Sequence, residues 1–382
     1  MKEASMSVQP LHKPSSPDWS SDLAKIGPQI ADEGRSCDSE NRYVGANIAA
    51  LREHGFLGLA VPSELGGGGL SRIELANMLR DLAHYCSATA LVLAMHTHTV
   101  AAAAWRWRYQ KAPTDGLLKR VAGERIQLLS SGGSDWLPGS GTAEKVEGGY
   151  KVNGLKVFAS GAPSADIFMT GAIEQTAEGL TALQFGVPMK SPGVSIVETW
   201  DTMGMRGTAS HSVKLEDVFV ADAAIAARRP AGVWHPSFHL ISMIAFPLVY
   251  AVYTGVAEVA RDIAVAAASK RIQPDTVEAV GQLDTELAAT RIAHHSMVEQ
   301  MELAQPGPDT TNKVFQHRAL VARSALKTVE LALVAAGGGG YFKGMRLERA
   351  FRDIQGARFH PLQDGPQQRL AGHVALGLPI DV

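Results

Sequence analysis

The stretch GGYKVNGLKVFASGAPSADIF, residues 148–168, decides the fold. YKVNGLKVFAS alternates apolar and polar residues and is rich in β-formers. ADIFMTGAI, TALQFGVPM and GVSIVET follow in the same texture, short and full of Val, Ile, Phe and Thr. Turn residues such as Glu-Gly-Gly and Asn-Gly separate several of them. Period-two runs punctuated in this way predict antiparallel β structure.

On either side the period changes to that of a helix. Upstream, Ser71-Arg72-Ile73-Glu74 has the spacing of a capping box, in which the serine caps free N–H groups and the glutamate reaches back. IELANMLRDLAHYC then runs with apolar residues at helical spacing. SATALVLAMHTHTVAAAAWRW is apolar nearly all round, which predicts a buried helix. Downstream, PLVYAVYTGVAEVARDIAVAAASKR carries small residues that permit close helix–helix approach, as in a bundle. DTTNKVFQHRALVARSALKTVELALVAA is a second long helix, with Thr310 or Thr311 as its cap and the glycines at 337–340 as its stop. The expected fold class is therefore α+β, and its parts follow the chain. A disordered lead over 1–18 comes first, then an N-terminal helical domain over 19–125. A middle antiparallel β domain spans 126–225, and a C-terminal four-helix-bundle domain spans 226–382.

The bulk numbers exclude several classes. The chain has 382 residues, 46% apolar and 19% charged, with a net charge of −2. That composition is ordinary for a globular protein and offers no basic face for nucleic acid. Cys37 and Cys86 are too few for a disulfide framework and do not form a CxxC site. The N-terminal twenty residues have no apolar signal core, and no run of about 18 apolar residues stands out. A cytoplasmic enzyme with no membrane segment is the default expectation.

Four places could carry chemistry. SSGGSDWLPGSG, 130–141, could hold a phosphate or the polar edge of a flavin through backbone N–H groups and hydroxyls, or be a plain surface loop. GGGGY, 337–341, could admit a pyrophosphate or be a simple helix stop. It is not a GxGxxG after a strand. His96-Thr97-His98 looks like a ligand pair, but residues two apart on a helix face different ways. A packed, hydrogen-bonded histidine is the better reading there. RFHPLQDGPQQR, 358–369, places His360 and Asp364 between two helical runs, as connector or as active-site loop.

Together these stretches resemble the acyl-CoA dehydrogenase superfamily from about residue 40 to 380. GFLGLAVPSELGGGGLS (55–71), the 148–168 stretch, DTMGMRGTASHSVKLEDVFV (201–220) and GGGGYFKGMRLERAFRD (337–353) match family segments in the right order. The resemblance implies FAD between an α, a β and a four-helix domain, in a homodimer or homotetramer. It implies Ser130 or Ser131 at the flavin's polar edge and Ser134 at the pyrophosphate. It places Phe158 and Ser160 beside the isoalloxazine, Arg271 in the remnant of an FAD-gripping segment, and Gly337, Gly338 and Gly340 along the pyrophosphate across the interface. It implies an acyl-CoA or other acyl-thioester substrate, and a flavoprotein or reductase as electron partner.

The sequence also departs from the pattern. The family's glutamate base falls on Asp364, and its alternative position on Ile244, Ala245 and Phe246, none of which can act as a base. The first functional expectation is an acyl-CoA α,β-dehydrogenase. Asp364 would be its base and His360 a tuning neighbour. The alternative is a flavin-dependent monooxygenase of the same fold, with FMN possible in place of FAD and His360 as acid or base. Met95, Phe238, Phe246 and Tyr250 are candidate pocket-floor residues.

Overall fold

A computed structural model describes residues 18–380. The expected lead over 1–18 lies almost wholly outside the described residues. Five helices come first: α1 (Trp19–Glu40), α2 (Gly45–Glu53), α3 (Arg72–Tyr85), α4 (Ser87–Gln110) and α5 (Asp115–Gly123). The capping box at α3 forms as read. The Ser71 hydroxyl accepts from Glu74 N–H at 3.2 Å, and the Glu74 carboxylate accepts from Ser71 N–H at 2.8 Å. α4 is buried over most of its length up to Ala101, beyond which it is partly exposed.

One sheet of eight strands follows: β1 (Leu128–Ser130), β2 (Thr142–Val146), β3 (Gly149–Lys156), β4 (Ile167–Thr176), β5 (Gly179–Pro188), β6 (Val194–Val197), β7 (Ser212–Ala221) and β8 (Ile225–Pro230). The order is β6-β7-β3-β2-β4-β5-β8, with β1 on β4. Its pairs are antiparallel except β1–β4 and the single β2–β4 bridge. Glu147-Gly148 makes the β2–β3 turn, with Gly148 at φ 74°. Asn153-Gly154 is not a turn: it lies inside β3, where the register against β7 shifts between Val152 and Gly154. There the Asn153 side chain accepts from Asp217 N–H, a local bond that substitutes for the ladder.

The C-terminal part holds α6 (Ser237–Ala268), α7 (Pro274–Leu303), α8 (Pro308–Ala336), α9 (Leu347–Ile354) and α10 (Asp364–Ala375). The long helices α6, α7 and α8 pack together, α6 and α8 running side by side in the same direction, and the shorter α10 lies on α8. α6 starts ten residues before the expected Pro247 and runs through it. The Pro247 carbonyl accepts from the buried His294 ring at 2.9 Å. α6 is long and apolar enough to cross a membrane, a run the sequence reading did not pick out. Yet 94% of its most apolar window is buried in the fold, so it reads as a core helix. Neither Thr310 nor Thr311 caps α8. Thr310 donates to Gln305 O, and Thr311 bonds the His239 ring. α8 does end at the glycines, with Gly337 at φ 66°.

The first and last helical parts share one apolar core. α3 and α4 lie against α6, so Leu79, Met78 and Leu93 join Ile244, Tyr250 and Leu326. The sheet has its own core around Phe168, Leu183 and Val213. The surfaces left between these two cores form the walls of the site.

Candidate active site

A cavity of about 1450 Å³ opens between α4, the sheet, the first half of α6 and the segment before α10. Ligand pockets are typically about 300–1,000 Å³. This one has room for a cofactor ring system and a substrate together.

Its sheet-side rim is the serine–glycine loop. Ser130 ends β1, and its hydroxyl is buried with no hydrogen-bond partner. Such an orphan costs free energy unless a ligand satisfies it. Ser131 also lines the cavity. A Cβ on Gly133 would come within 2.3 Å of the Pro361 ring, so this glycine lets the loop touch the segment carrying His360. Ser134 stands in the same turn, and its side chain lies outside the described set. Phe158 is held at φ 59° with its ring 56% exposed, edge-on to Trp200 at 6.1 Å. A non-glycine residue in the left-handed region is costly, and such positions cluster at functional sites. Ser160 lines the wall, its hydroxyl bonded to Ser210 at 2.7 Å.

The loop is anchored from below by Lys156. Its ammonium is fully buried, 3.0 Å from Asp135 Oδ2, and donates to the Ser140 carbonyl at 2.7 Å. Burial holds the Lys156 pKa below its ordinary value, against the pull of Asp135. Asp135 also bonds Ser140 and Thr170. Among the described residues Asp135 is the single carboxylate lining the cavity, and it is neutralised by this pair.

The opposite wall is aromatic. Trp136 meets Trp234, Phe238, Phe246 and Phe315 with ring centroids 5.4–5.8 Å apart. Its indole N–H is buried without a partner. Met95, Phe238 and Phe246 line the cavity as expected. Tyr250 does not line it; its hydroxyl donates to the Ala357 carbonyl behind the wall. Ile244 is core, and Ala245 and Phe246 present only carbon.

Four imidazoles line this space, His98, His235, His239 and His360, and burial lowers the pKa of His235 and His239 as it does the other two. His360 bonds the Tyr253 hydroxyl through Nε2 at 2.7 Å. Burial, with the charges of Arg318 and His98 adding to it, lowers its pKa to about 3. His98, on α4, makes no hydrogen bond among the described residues, and burial lowers its pKa to about 4. The helix splits the two histidines of the His-Thr-His run as their spacing requires. His96 is packed in the core, bonded to Leu57 O and Leu128 N–H. No metal-holding group occurs among the described residues.

Asp364 corrects the sequence expectation. It is the first residue of α10, with its side chain 69% exposed, and it does not line the cavity. The sequence reading places Asp364 in the loop between two helical runs, but α10 begins at it, with the carboxylate in solvent. Arg271 and the glycine tetrad are likewise elsewhere. The Arg271 guanidinium donates to Ala335 O at 2.9 Å and abuts Gly337, beyond the C-terminal end of α6. Gly337, Gly338 and Gly340 form a short turn there, off the cavity. Sequence reasoning missed His98, Tyr253, Lys156 and Trp136. The His-Thr-His run was the one visible signal among them.

Three family descriptions match the chain: "Acyl-CoA dehydrogenase, N-terminal domain" over 26–110, "middle domain" over 130–218 and "C-terminal domain" over 248–364. The chain is 25% identical over 366 residues to a putative acyl-CoA dehydrogenase, YdbM, of Bacillus subtilis, covering 91% of this chain and 93% of that one. It is 26% identical over 355 residues to an L-evernosamine nitrososynthase of a Micromonospora species, covering 88% and 84%. A solved structure of KijD3, in complex with FMN and a dTDP-linked amino sugar, superposes with a TM-score of 0.85. The identity is 24%, with 97% and 96% of the two chains covered.

Proposed function

Since the chain belongs to the acyl-CoA dehydrogenase superfamily, we propose that it is a flavin-dependent monooxygenase acting on a compact, largely apolar substrate that bears an N–H or O–H group. One observation carries this reading: among the described residues the cavity presents four histidines whose pKa values burial lowers, and no free carboxylate. Dehydrogenation of an acyl thioester needs a base strong enough to take a poorly acidic α proton, and the family position for it, Asp364, faces solvent. The relatives fit either chemistry, since one is named as a dehydrogenase and another as a nitrososynthase.

The residues present fit a flavin. Ser130 offers an unsatisfied hydroxyl at the cavity wall, and Ser131 stands beside it. Phe158 and Ser160 stand where a ring system would lie. When bound and reduced, a flavin would supply the two electrons with which dioxygen places one atom in the substrate and releases the other as water.

The chain's own residues orient the substrate and exclude water. Near neutral pH His360 and His98 are unprotonated, because burial disfavours the charged form. Each can accept a hydrogen bond from the substrate N–H or O–H and so orient it, and His360 is held for this by the Tyr253 hydroxyl. Trp136, Phe238 and Phe246 keep water from the reacting atoms. Arg271 and the glycine tetrad would be needed only for the adenosine half of FAD, contributed by a second copy of the chain.

The test is to reduce the flavin-loaded protein, admit ¹⁸O₂ with a panel of aromatic and amine substrates, and weigh the products. One labelled atom per product is expected. If acyl-CoA thioesters bleach the oxidised flavin without oxygen, and no labelled product forms, the dehydrogenase reading replaces this one.

A further inference from the structure

Arg318, on α8, is a fully buried guanidinium. Burying a lone cation costs several kcal/mol unless it is well bonded. Its Nη2 donates to three carbonyls in one stretch: Ala357 at 3.1 Å, Arg358 at 3.3 Å and His360 at 2.6 Å. The guanidinium lies 5.3 Å from the Tyr250 ring centroid, and the Tyr250 hydroxyl donates to the same Ala357 carbonyl at 2.7 Å. Nε and Nη1 have no hydrogen-bond partner. The paired carboxylate oxygen, Asp364 Oδ1, stands 3.8 Å from Nη1 on an exposed side chain. So the hydrogen bonds of Arg318 go to main-chain carbonyls, and its contact with a counter-ion is the longer one to Asp364.

Those carbonyls belong to the backbone that carries His360. Arg318 ties the histidine's main chain from α8, while Tyr253 ties its ring from α6. We infer that Arg318 is a positioning residue for the reaction: by gathering the carbonyls of Ala357, Arg358 and His360 it holds the His360 imidazole against Tyr253 at the cavity wall. The importance of that imidazole rests on the monooxygenase reading; the positioning itself does not.

The surroundings of His360 explain why a cation suits this place. Facing it are Tyr250 and Tyr253 from α6, His98 from α4 and Arg318 from α8. The nearby carboxylates point elsewhere. Asp353 is held by Ser87 and the Met205 N–H, and Asp364 faces solvent. With no carboxylate on the ring, the Arg318 charge opposes its protonation and keeps it neutral, able to accept a hydrogen bond.

The inference is tested on the full chain without flavin, by histidine-selective NMR titration and amide hydrogen exchange. Arg318→Met keeps the side-chain volume and removes both the charge and the donors. Arg318→Lys keeps the charge and loses the planar fork. Both should speed amide exchange at 358–360 about tenfold or more, the loss of one charge-assisted hydrogen bond. Only Arg318→Met should raise the His360 titration midpoint, by about one pH unit or more. A midpoint and an exchange rate in Arg318→Met equal to those of the wild type would overturn the assignment. So would unchanged exchange in Arg318→Lys, which also carries the test should the methionine variant not fold. If the wild type oxygenates nothing while the titration and exchange results hold, the activity reading fails and the role of Arg318 stands.

Discussion

His96 and His98 are two residues apart on one helix and face different surroundings. One completes hydrogen bonds between Leu57 and Leu128, and the other looks into the cavity with no partner. The same contrast separates His360 from Asp364, four residues on. The imidazole is enclosed against Tyr253, and the carboxylate stands in water at the start of α10. Different mutational outcomes follow. His360→Asn should lower kcat by about 10²-fold, the usual loss when a group that orients the substrate is displaced. Asp364→Asn should change kcat/KM by no more than about twofold, as an exposed substitution does. Steady-state rates of the two variants decide the matter. A loss confined to Asp364→Asn would restore the carboxylate base.

At the scale of elements, the serine–glycine loop depends on a strand residue. Lys156 closes β3 and anchors the loop through Asp135 and Ser140. Lys156→Met leaves Asp135 without its cation and should cost about 3–5 kcal/mol in denaturant unfolding, the range for breaking a buried pair. The same variant should bind flavin more weakly, because the loop that presents Ser130 and Gly133 loses its anchor. A second element-scale prediction concerns the turn after α8. If Arg271 meets the outer phosphate of FAD from a neighbouring copy, Arg271→Ala should weaken FAD about tenfold or more and leave FMN unaffected, the loss of a charge-assisted hydrogen bond. Fluorescence titrations with both flavins check this, and an FAD affinity in the variant equal to that of the wild type would remove the turn from the cofactor site. Both devices were partly legible beforehand. The loop and the glycines stood out by composition, whereas Lys156 is an ordinary lysine in an alternating strand.

For the whole molecule, histidines held neutral by the fold set the response to acid, His96 and His294 in the core and His98 and His360 half-buried at the cavity. Burial lowers His96, His98 and His294 to about 4 and His360 to about 3. Unfolded, each titrates near about 6.5. Between those values the unfolded chain binds more protons, so stability is full above about pH 6.5 and falls as pH drops through about 4. The urea midpoint should decline steadily over that window, and a flat profile would show that these imidazoles are solvated. Much of the architecture was readable in the chain itself. The order helices, sheet, helices, the capping box at Ser71 and the stop at Gly337 follow from periodicity and local backbone chemistry, which act between near neighbours in sequence. The serine–glycine loop belongs with them. Which groups share the cavity was decided only by packing. α4, β1, α6 and the segment before α10 bring His98, Ser130, Tyr253 and His360 together from across some 260 residues of chain. The start of α10 at 364 leaves in solvent an aspartate that spacing alone had placed inside. Local rules specify which way the backbone turns. Burial and charge at a site depend on what the rest of the chain packs around it.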